Sequence, residues 1–295
     1  MEYQSGFIQT QESPLVRLHY IEANHRPDAP LVLMLHGFPE TSQTWQDYLP
    51  LLSKEGFHPV ALDLRGYSQS SHPSGKKQYD IDLLIRDIKQ VIDYFHKPTF
   101  LVGHDWGGII TLELAEKYPE LCKGFVIINA PHAGTMLRNM RSSLKLSLKQ
   151  STKFWYALFF QLPLLPEALL RRSNYRALSS VIKRQAVTDK AYSEEDLKEY
   201  RNSYEKGLTP ALNYYRRNLF RLLFRQRSLI ERPGLLIWGE KDITLHREIT
   251  VGMEDFFKKG LTKRYFKGAS HWVHRERMPE VCSEMVSFFR VLTKN

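Results

Sequence analysis

Cysteine is scarce in this chain: Cys122 and Cys282 are the two present among 295 residues. A pair so widely spaced excludes a disulfide framework and offers no zinc-ligand spacing. It is read as two buried, reduced thiols suited to a reducing compartment. The opening stretch MEYQSGFIQTQESP lacks the basic segment and apolar run of a secretory signal. No uncharged apolar run reaches the length of a membrane span. The expectation is a cytosolic protein, with a membrane tether outside this sequence left open. Glycine-rich phosphate loops are missing, as are zinc-finger and RNA-binding signatures, so neither a nucleotide cofactor, a metal nor a nucleic-acid partner is expected. The oligomeric state is left open.

What is present is ordinary in bulk and uneven in charge. Hydrophobic residues make up 42% and charged residues 25%, enough for a sizeable globular core. The net charge is +10. Residues 135–232 hold 20 Lys and Arg against 8 Asp and Glu, whereas the rest of the chain holds 22 against 24. A basic segment of this kind is either a solvated face or a contact for an anionic membrane surface.

Short apolar runs recur: LVLMLHG (31–37), HPVALDL (58–64), TFLVGH (99–104), GFVIINA (124–130) and GLLIWGE (234–240). Each reads as a strand buried on both faces. LVRLHYIEA (15–23) alternates like a half-buried strand, and TKRYFKGASHW (262–272) supplies another. DIDLLIRDIKQVIDYF (80–95) and PEVCSEMVSFFRVL (279–292) carry helical spacing. Strands alternating with helices predict an α/β fold with a mostly parallel sheet covered on both faces. From 134 to 231 the strand signal stops and helical stretches follow one another, broken by Pro163, Pro166 and Pro210. The expected organisation is a core of residues 1–133 and 232–295 with a helical cap of 134–231 over the sheet's carboxyl edge, where ligands of such sheets bind.

GHDWGG (103–108) stands between a strand and a helix. Only very small residues allow so sharp a reversal, which would hold Asp105 at the mouth of the sheet. Serine usually occupies this central place in the G-x-S-x-G nucleophile turn of α/β-hydrolases. HGFPE (36–40) follows an earlier strand, and its Phe38 N–H, with the N–H of Trp106, would form an oxyanion hole. WGEKD (238–242) ends with Asp242, and GASHW (268–272) carries His271 just past a strand. The order Asp105, Asp242, His271 is the triad order of this fold. Asp63 in ALDLRGYSQS precedes the nucleophile and is read as a loop brace. His36, Pro39, Trp45, Trp155 and Phe159 are candidates for the substrate-binding wall.

The succession HGFP, DLRGY, GHDWGG, GEKD and GASHW resembles the epoxide hydrolases of the α/β-hydrolase fold, over nearly the whole chain. That resemblance implies two cap tyrosines, one in a run ending Tyr-Arg-Asn and one about five residues before Gln-x-Pro. ALNYYRRNLF offers Tyr215 for the first, with Tyr214 a lesser candidate because of the extra Arg. FWYALFFQLP offers Tyr156 for the second. The run FFQLPLLPE also resembles the cap of membrane-tethered animal epoxide hydrolases, which favours the membrane-surface reading of the basic segment.

A carboxylate nucleophile has a chemical reason. Serine attacking a saturated carbon would leave an ether that histidine and water cannot cleave. Aspartate leaves an ester whose carbonyl belongs to the enzyme and is open to activated water. Displacement at saturated carbon implies an epoxide or an alkyl halide. Two phenols suit the oxygen of an opening epoxide, whereas a halide prefers weaker donors. The arginine clamp of fluoroacetate dehalogenases is missing, with Trp106 and Ile109 in its place, and Phe38 stands where haloalkane dehalogenases have Asn. The expected reaction is conversion of an apolar epoxide and water to a vicinal diol, with a hydrolytic dehalogenase as the alternative.

Overall fold

A computed structural model describes residues 3–23, 28–172 and 174–294. The buried apolar runs line up as one eight-stranded sheet in the order β1-β2-β4-β3-β5-β6-β7-β8. The strands are β1 (Gln4–Gln11), β2 (Val16–Glu22), β3 (Leu31–Leu35), β4 (His58–Leu62), β5 (Thr99–His104), β6 (Gly124–Ile128), β7 (Gly234–Gly239) and β8 (Leu261–Phe266). Pairings from β4 through β8 are parallel, while β1 with β2 and β2 with β4 are antiparallel. Strands β3 to β7 are buried at every position, as two-sided coverage demands.

Strand β1 has no counterpart among the apolar runs of the sequence. Its sequence QSGFIQTQ buries only Ile8 and Thr10, so an edge strand of polar residues carries no apolar run to announce it. At the other edge β8 ends at Phe266, short of the run to 272 read as strand, because Gly268 takes a positive φ and turns the chain.

Helices α1 (Tyr48–Lys54), α2 (Ile81–Phe95) and α3 (Trp106–Lys117) follow β3, β4 and β5 respectively. Buried Ile81, Leu84, Ile85, Ile88, Val91, Ile92 and Phe95 make the inward stripe of α2, whose first turn is capped by the Asp80 side chain. Between β6 and β7 lie α4 (Ala133–Ser142), α5 (Leu144–Lys153), α6 (Trp155–Phe159), α7 (Leu165–Arg171), α8 (Arg176–Gln185), α9 (Glu194–Asn202) and α10 (Thr209–Phe224). The chain closes with α11 (Val273–Glu276) and α12 (Met278–Thr293). Polar side chains tie α10 to the sheet layer. Asn218 Oδ1 accepts from Ile81 N at 2.8 Å, its Nδ2 donates to Tyr79 O at 2.8 Å, and Arg217 Nε donates to Asp80 at 2.6 Å. The inserted segment is thereby fastened, through α10, to the start of α2 and the residues just before it.

Candidate active site

The turn after β5 sets the site. Asp105 has φ 50° and ψ −117°, outside the regions a side-chain-bearing residue ordinarily adopts. Glycine is required beside it: a Cβ on Gly107 would lie 2.3 Å from Leu35 O, and one on Gly103 2.3 Å from Gly107 O. The turn therefore closes only without side chains, and the Asp105 carboxylate emerges at the end of the sheet.

The residues singled out by the motifs converge there. Phe38 N donates to Asp105 Oδ1 at 3.0 Å. Trp106 opens α3, where a backbone N–H has no acceptor within its own helix. His271 Nε2 lies 3.7 Å from Asp105 Oδ2, and its Nδ1 is 2.6 Å from Asp242 Oδ2. Asp242 is 3% exposed and fully engaged. It accepts from Asn129 Nδ2 (2.7 Å), Thr244 N (2.7 Å), Thr244 Oγ1 (2.7 Å) and Leu245 N (2.9 Å). Burial opposes its charge, but His271 and these donors outweigh it and lower the Asp242 carboxyl to about 2. Burial likewise opposes charge on His271, yet Asp242 and Asp105 on either side push it up to about 10. Asp105 is held below the usual carboxylate range despite its burial, chiefly by His271.

Two cavities meet at Asp105, Tyr156 and Tyr215. The larger, about 340 Å³, runs past Phe38, Pro39, Trp155, Phe159 and His271. The smaller, about 80 Å³, is walled by Trp106, Ile109, Met136 and Leu219 among others. The Tyr156 and Tyr215 rings lie 6.0 Å apart at 79°. Burial, then the nearby Asp105 charge, raises both phenols, so both keep their protons at neutral pH. Tyr214 is placed differently: its hydroxyl donates to Arg65 O at 2.7 Å, away from either cavity.

Two of the expected wall residues lie elsewhere. His36 and Trp45 are wholly buried in the sheet layer and line neither cavity. His36 Nδ1 donates to Gly37 O at 2.8 Å and its Nε2 accepts from Leu64 N at 3.1 Å, so it pins two loops. Trp45 packs on Tyr48 and His274. Asp63 sits where a brace belongs, accepting from Ser42 N at 2.8 Å and lying 2.8 Å from His19 Nδ1.

Sequence reasoning missed Asn129 and Thr244, whose short polar side chains hold Asp242, and a buried group behind Asp105 and His271. Glu40, His104 and His274 bring their ligand-type atoms within 4.8 Å of one another. Hydrogen bonds join them to one another and to neighbouring groups, with His274 Nδ1 left without a partner among the described residues. Glu40 accepts from Thr44 Oγ1 at 2.7 Å and Tyr192 OH at 2.8 Å, and faces His104 Nδ1 at 2.7 Å; His104 Nε2 donates to His271 O at 3.0 Å. Glu40 closes the HGFPE run and His104 precedes Asp105, so this polar group joins three motif loops.

The chain is similar to known proteins over nearly its whole length. The family described as alpha/beta hydrolase fold matches residues 30–277. Epoxide hydrolase 1 of Caenorhabditis elegans is 33% identical over 282 residues, covering 93% of this chain and 68% of that protein. Epoxide hydrolase 4 of Mus musculus is 31% identical over 290 residues, covering 96% and 78%. A mutant epoxide hydrolase from Bacillus megaterium, complexed with its product (R)-3-[1]naphthyloxy-propane-1,2-diol, superposes with a TM-score of 0.86 at 31% identity, covering 97% of this chain and 100% of that one. The chain belongs to the α/β-hydrolase fold family and, within it, to the epoxide hydrolases.

Proposed function

We propose that this epoxide hydrolase works through an ester on Asp105, with His271 activating the water that cleaves it. The observation that carries the reading is the meeting of one carboxylate, one imidazole and two protonated phenols at the junction of two largely apolar cavities. One Asp105 oxygen attacks an oxirane carbon, and the carbon–oxygen bond of the ring breaks. The departing oxygen takes a proton from Tyr156 or Tyr215, while the other donates a hydrogen bond. His271 enters this step as an imidazolium between two carboxylates. Once Asp105 is a neutral ester, half of that support is gone, and the imidazolium proton passes through solvent to the tyrosinate. Neutral His271 then removes a proton from water as the water oxygen attacks the ester carbonyl. Phe38 N–H and Trp106 N–H hold the tetrahedral oxyanion. Its collapse releases the vicinal diol, with the proton returned from His271 to the leaving oxygen, and the Asp105 acid proton restores the imidazolium.

A single turnover of styrene oxide by excess enzyme in ¹⁸O-water tests this route. The expected diol carries ordinary oxygen, with ¹⁸O left in the peptide containing Asp105. Label entering the diol directly would mean that water, and not Asp105, attacks the epoxide.

The helices between β6 and β7 also favour work beside membranes, in a reducing compartment that suits the two buried, unpaired cysteines. Leu144, Leu148, Trp155, Leu158, Leu164 and Phe224 are exposed large apolar side chains there, interspersed with exposed Lys145, Lys149, Arg171 and Arg172. Apolar side chains with basic neighbours suit the headgroup region of an anionic bilayer. Among the described residues no helix is long and apolar enough to cross one. Sedimentation with anionic phospholipid vesicles is expected to bring the protein down at low salt and to release it as salt rises. Binding indifferent to salt would exclude electrostatic attachment.

A further inference from the structure

The loop that carries Asp242 has its backbone served from outside the sheet layer. Residues 240–246 belong to no strand or helix, so their polar backbone groups need other partners. Three of these groups find partners on α5, in the inserted helical segment. Gln150 Nε2 donates to Thr244 O at 2.9 Å, and its Oε1 accepts from His246 N at 2.9 Å. Lys153 Nζ donates to Asp242 O at 2.6 Å. Gln150 and Lys153 stand three positions apart, on one face of the helix. Gln150 is wholly buried with both ends of its amide engaged. An apolar side chain would fill that space; only the loop calls for an amide.

The grip lies directly behind the acid. Thr244, held by its carbonyl, turns its own N–H and hydroxyl to Asp242 Oδ1, and that hydroxyl is also 3.3 Å from His271 Nδ1. Asp242 Oδ2 faces His271 Nδ1 at 2.6 Å. A shift of residues 243–246 would therefore move Asp242 against the imidazole. Resting on the ester route through Asp105, we propose that Gln150, with Lys153 beside it, is a positioning residue that holds the acid loop from the inserted helices and keeps Asp242 aligned with His271 during ester hydrolysis. Tyr156, a few residues further on, is secured separately. Beyond it Arg216 donates to Phe160 O at 2.7 Å and to Leu162 O at 2.6 Å. The grip on the loop thus bears on hydrolysis and not on the opening of the epoxide.

Two replacements test this. Gln150→Met keeps length and bulk and removes both hydrogen bonds, and Lys153→Met, at a partly exposed position, removes the third. In both, single-turnover decay of the Asp105 ester is expected to slow on the order of 10-fold to 10²-fold, the cost of a misplaced catalytic group, with ester formation within about twofold of wild type. The pH dependence of the decay separates alignment from general damage. The titratable groups facing the His271 ring are Asp105, Asp242 and His104. With Asp105 esterified, a loosened Asp242 supports the imidazolium less, so the midpoint of the decay profile is expected to move to lower pH while its plateau falls. An unslowed decay, equal slowing of both steps, or a slowed decay with an unmoved midpoint would overturn the assignment. The downfield proton resonance of His271 Nδ1–H, identified by its loss in His271→Gln, needs no turnover. It is expected to move upfield in both variants. An unmoved resonance in folded Gln150→Met, or in Lys153→Met should the former not fold, would equally overturn it. A moved resonance in a protein that forms no ester would leave the positioning role standing and remove the reaction assigned to Asp105.

Discussion

Replacement of His271 by Gln is expected to stop the enzyme after one attack, with Asp105 carrying the opened epoxide as a stable ester. Glutamine cannot take a proton from water, so hydrolysis loses its general base. Loss of a triad member of this kind costs on the order of 10⁴ in rate. In the proposed route the attack draws on Asp105, Tyr156 and Tyr215, and is expected to slow far less. The two steps therefore separate. Intact-protein mass spectrometry should show one added epoxide mass per chain, with peptide mapping placing it at Asp105, while steady-state diol production falls about 10⁴-fold. Retained turnover with no accumulating ester would remove His271 from the hydrolytic step. The titration of His271 gives this trap a second face. In the resting site it stands at about 10, raised against its burial by Asp242 and Asp105. Esterification removes the Asp105 charge, so the imidazolium becomes a stronger acid and gives up its proton when the base is needed. In the wild-type protein the decay of the ester is expected to accelerate as pH rises, because deprotonation of His271 creates the active form. A decay rate that instead fell with rising pH would contradict base catalysis.

Much of this site could be read in the sequence because backbone demands and chemistry coincide there. GHDWGG is legible because glycines are needed on both sides of Asp105, and HGFPE because a turn must follow β3 at that place. The buried runs β3 to β7 are legible because two-sided burial allows no polar interruption. What escaped depends on where side chains point. His36 adjoins the turn carrying Phe38, and Trp45 lies a few residues on, yet one points into loop packing and the other into the sheet layer. Neighbourhood along the chain does not show that direction. Asn129 ends an apolar run, and Thr244 follows Asp242 by two residues; neither belongs to a spacing rule, since each is fixed by the chain crossing near Asp242. Strand β1 escaped for the opposite reason. An edge strand needs partners on one side only, and its polar sequence satisfies that.

The tyrosine pair shows how far a single helical step can matter, and it carries the second large effect. Consecutive residues on a helix point about 100° apart. In α10 this turns Tyr215 into the junction of the cavities and Tyr214 toward Arg65, so the extra Arg in the run Tyr-Tyr-Arg-Arg-Asn does not move the donor off the site. Loss of one well-aimed donor costs roughly 10²–10³ in rate. Tyr156→Phe and Tyr215→Phe are each expected to slow the alkylation step toward the lower end of that range, because the remaining phenol still serves the departing oxygen. With both replaced, nothing protonates the alkoxide, and the loss is expected to exceed the product of the single losses. Rapid single-turnover measurement of ester formation reads this directly, and hydrolysis of ester already formed should change little. Tyr214→Phe separates chemistry from packing. Removing its hydroxyl strands the Arg65 carbonyl, at a stability cost of about 1–3 kcal/mol in urea unfolding, with alkylation unaffected. If the double replacement slowed alkylation by less than about tenfold, the phenols would be wall and not acid, and stabilisation of the alkoxide would have to come from another group lining the junction.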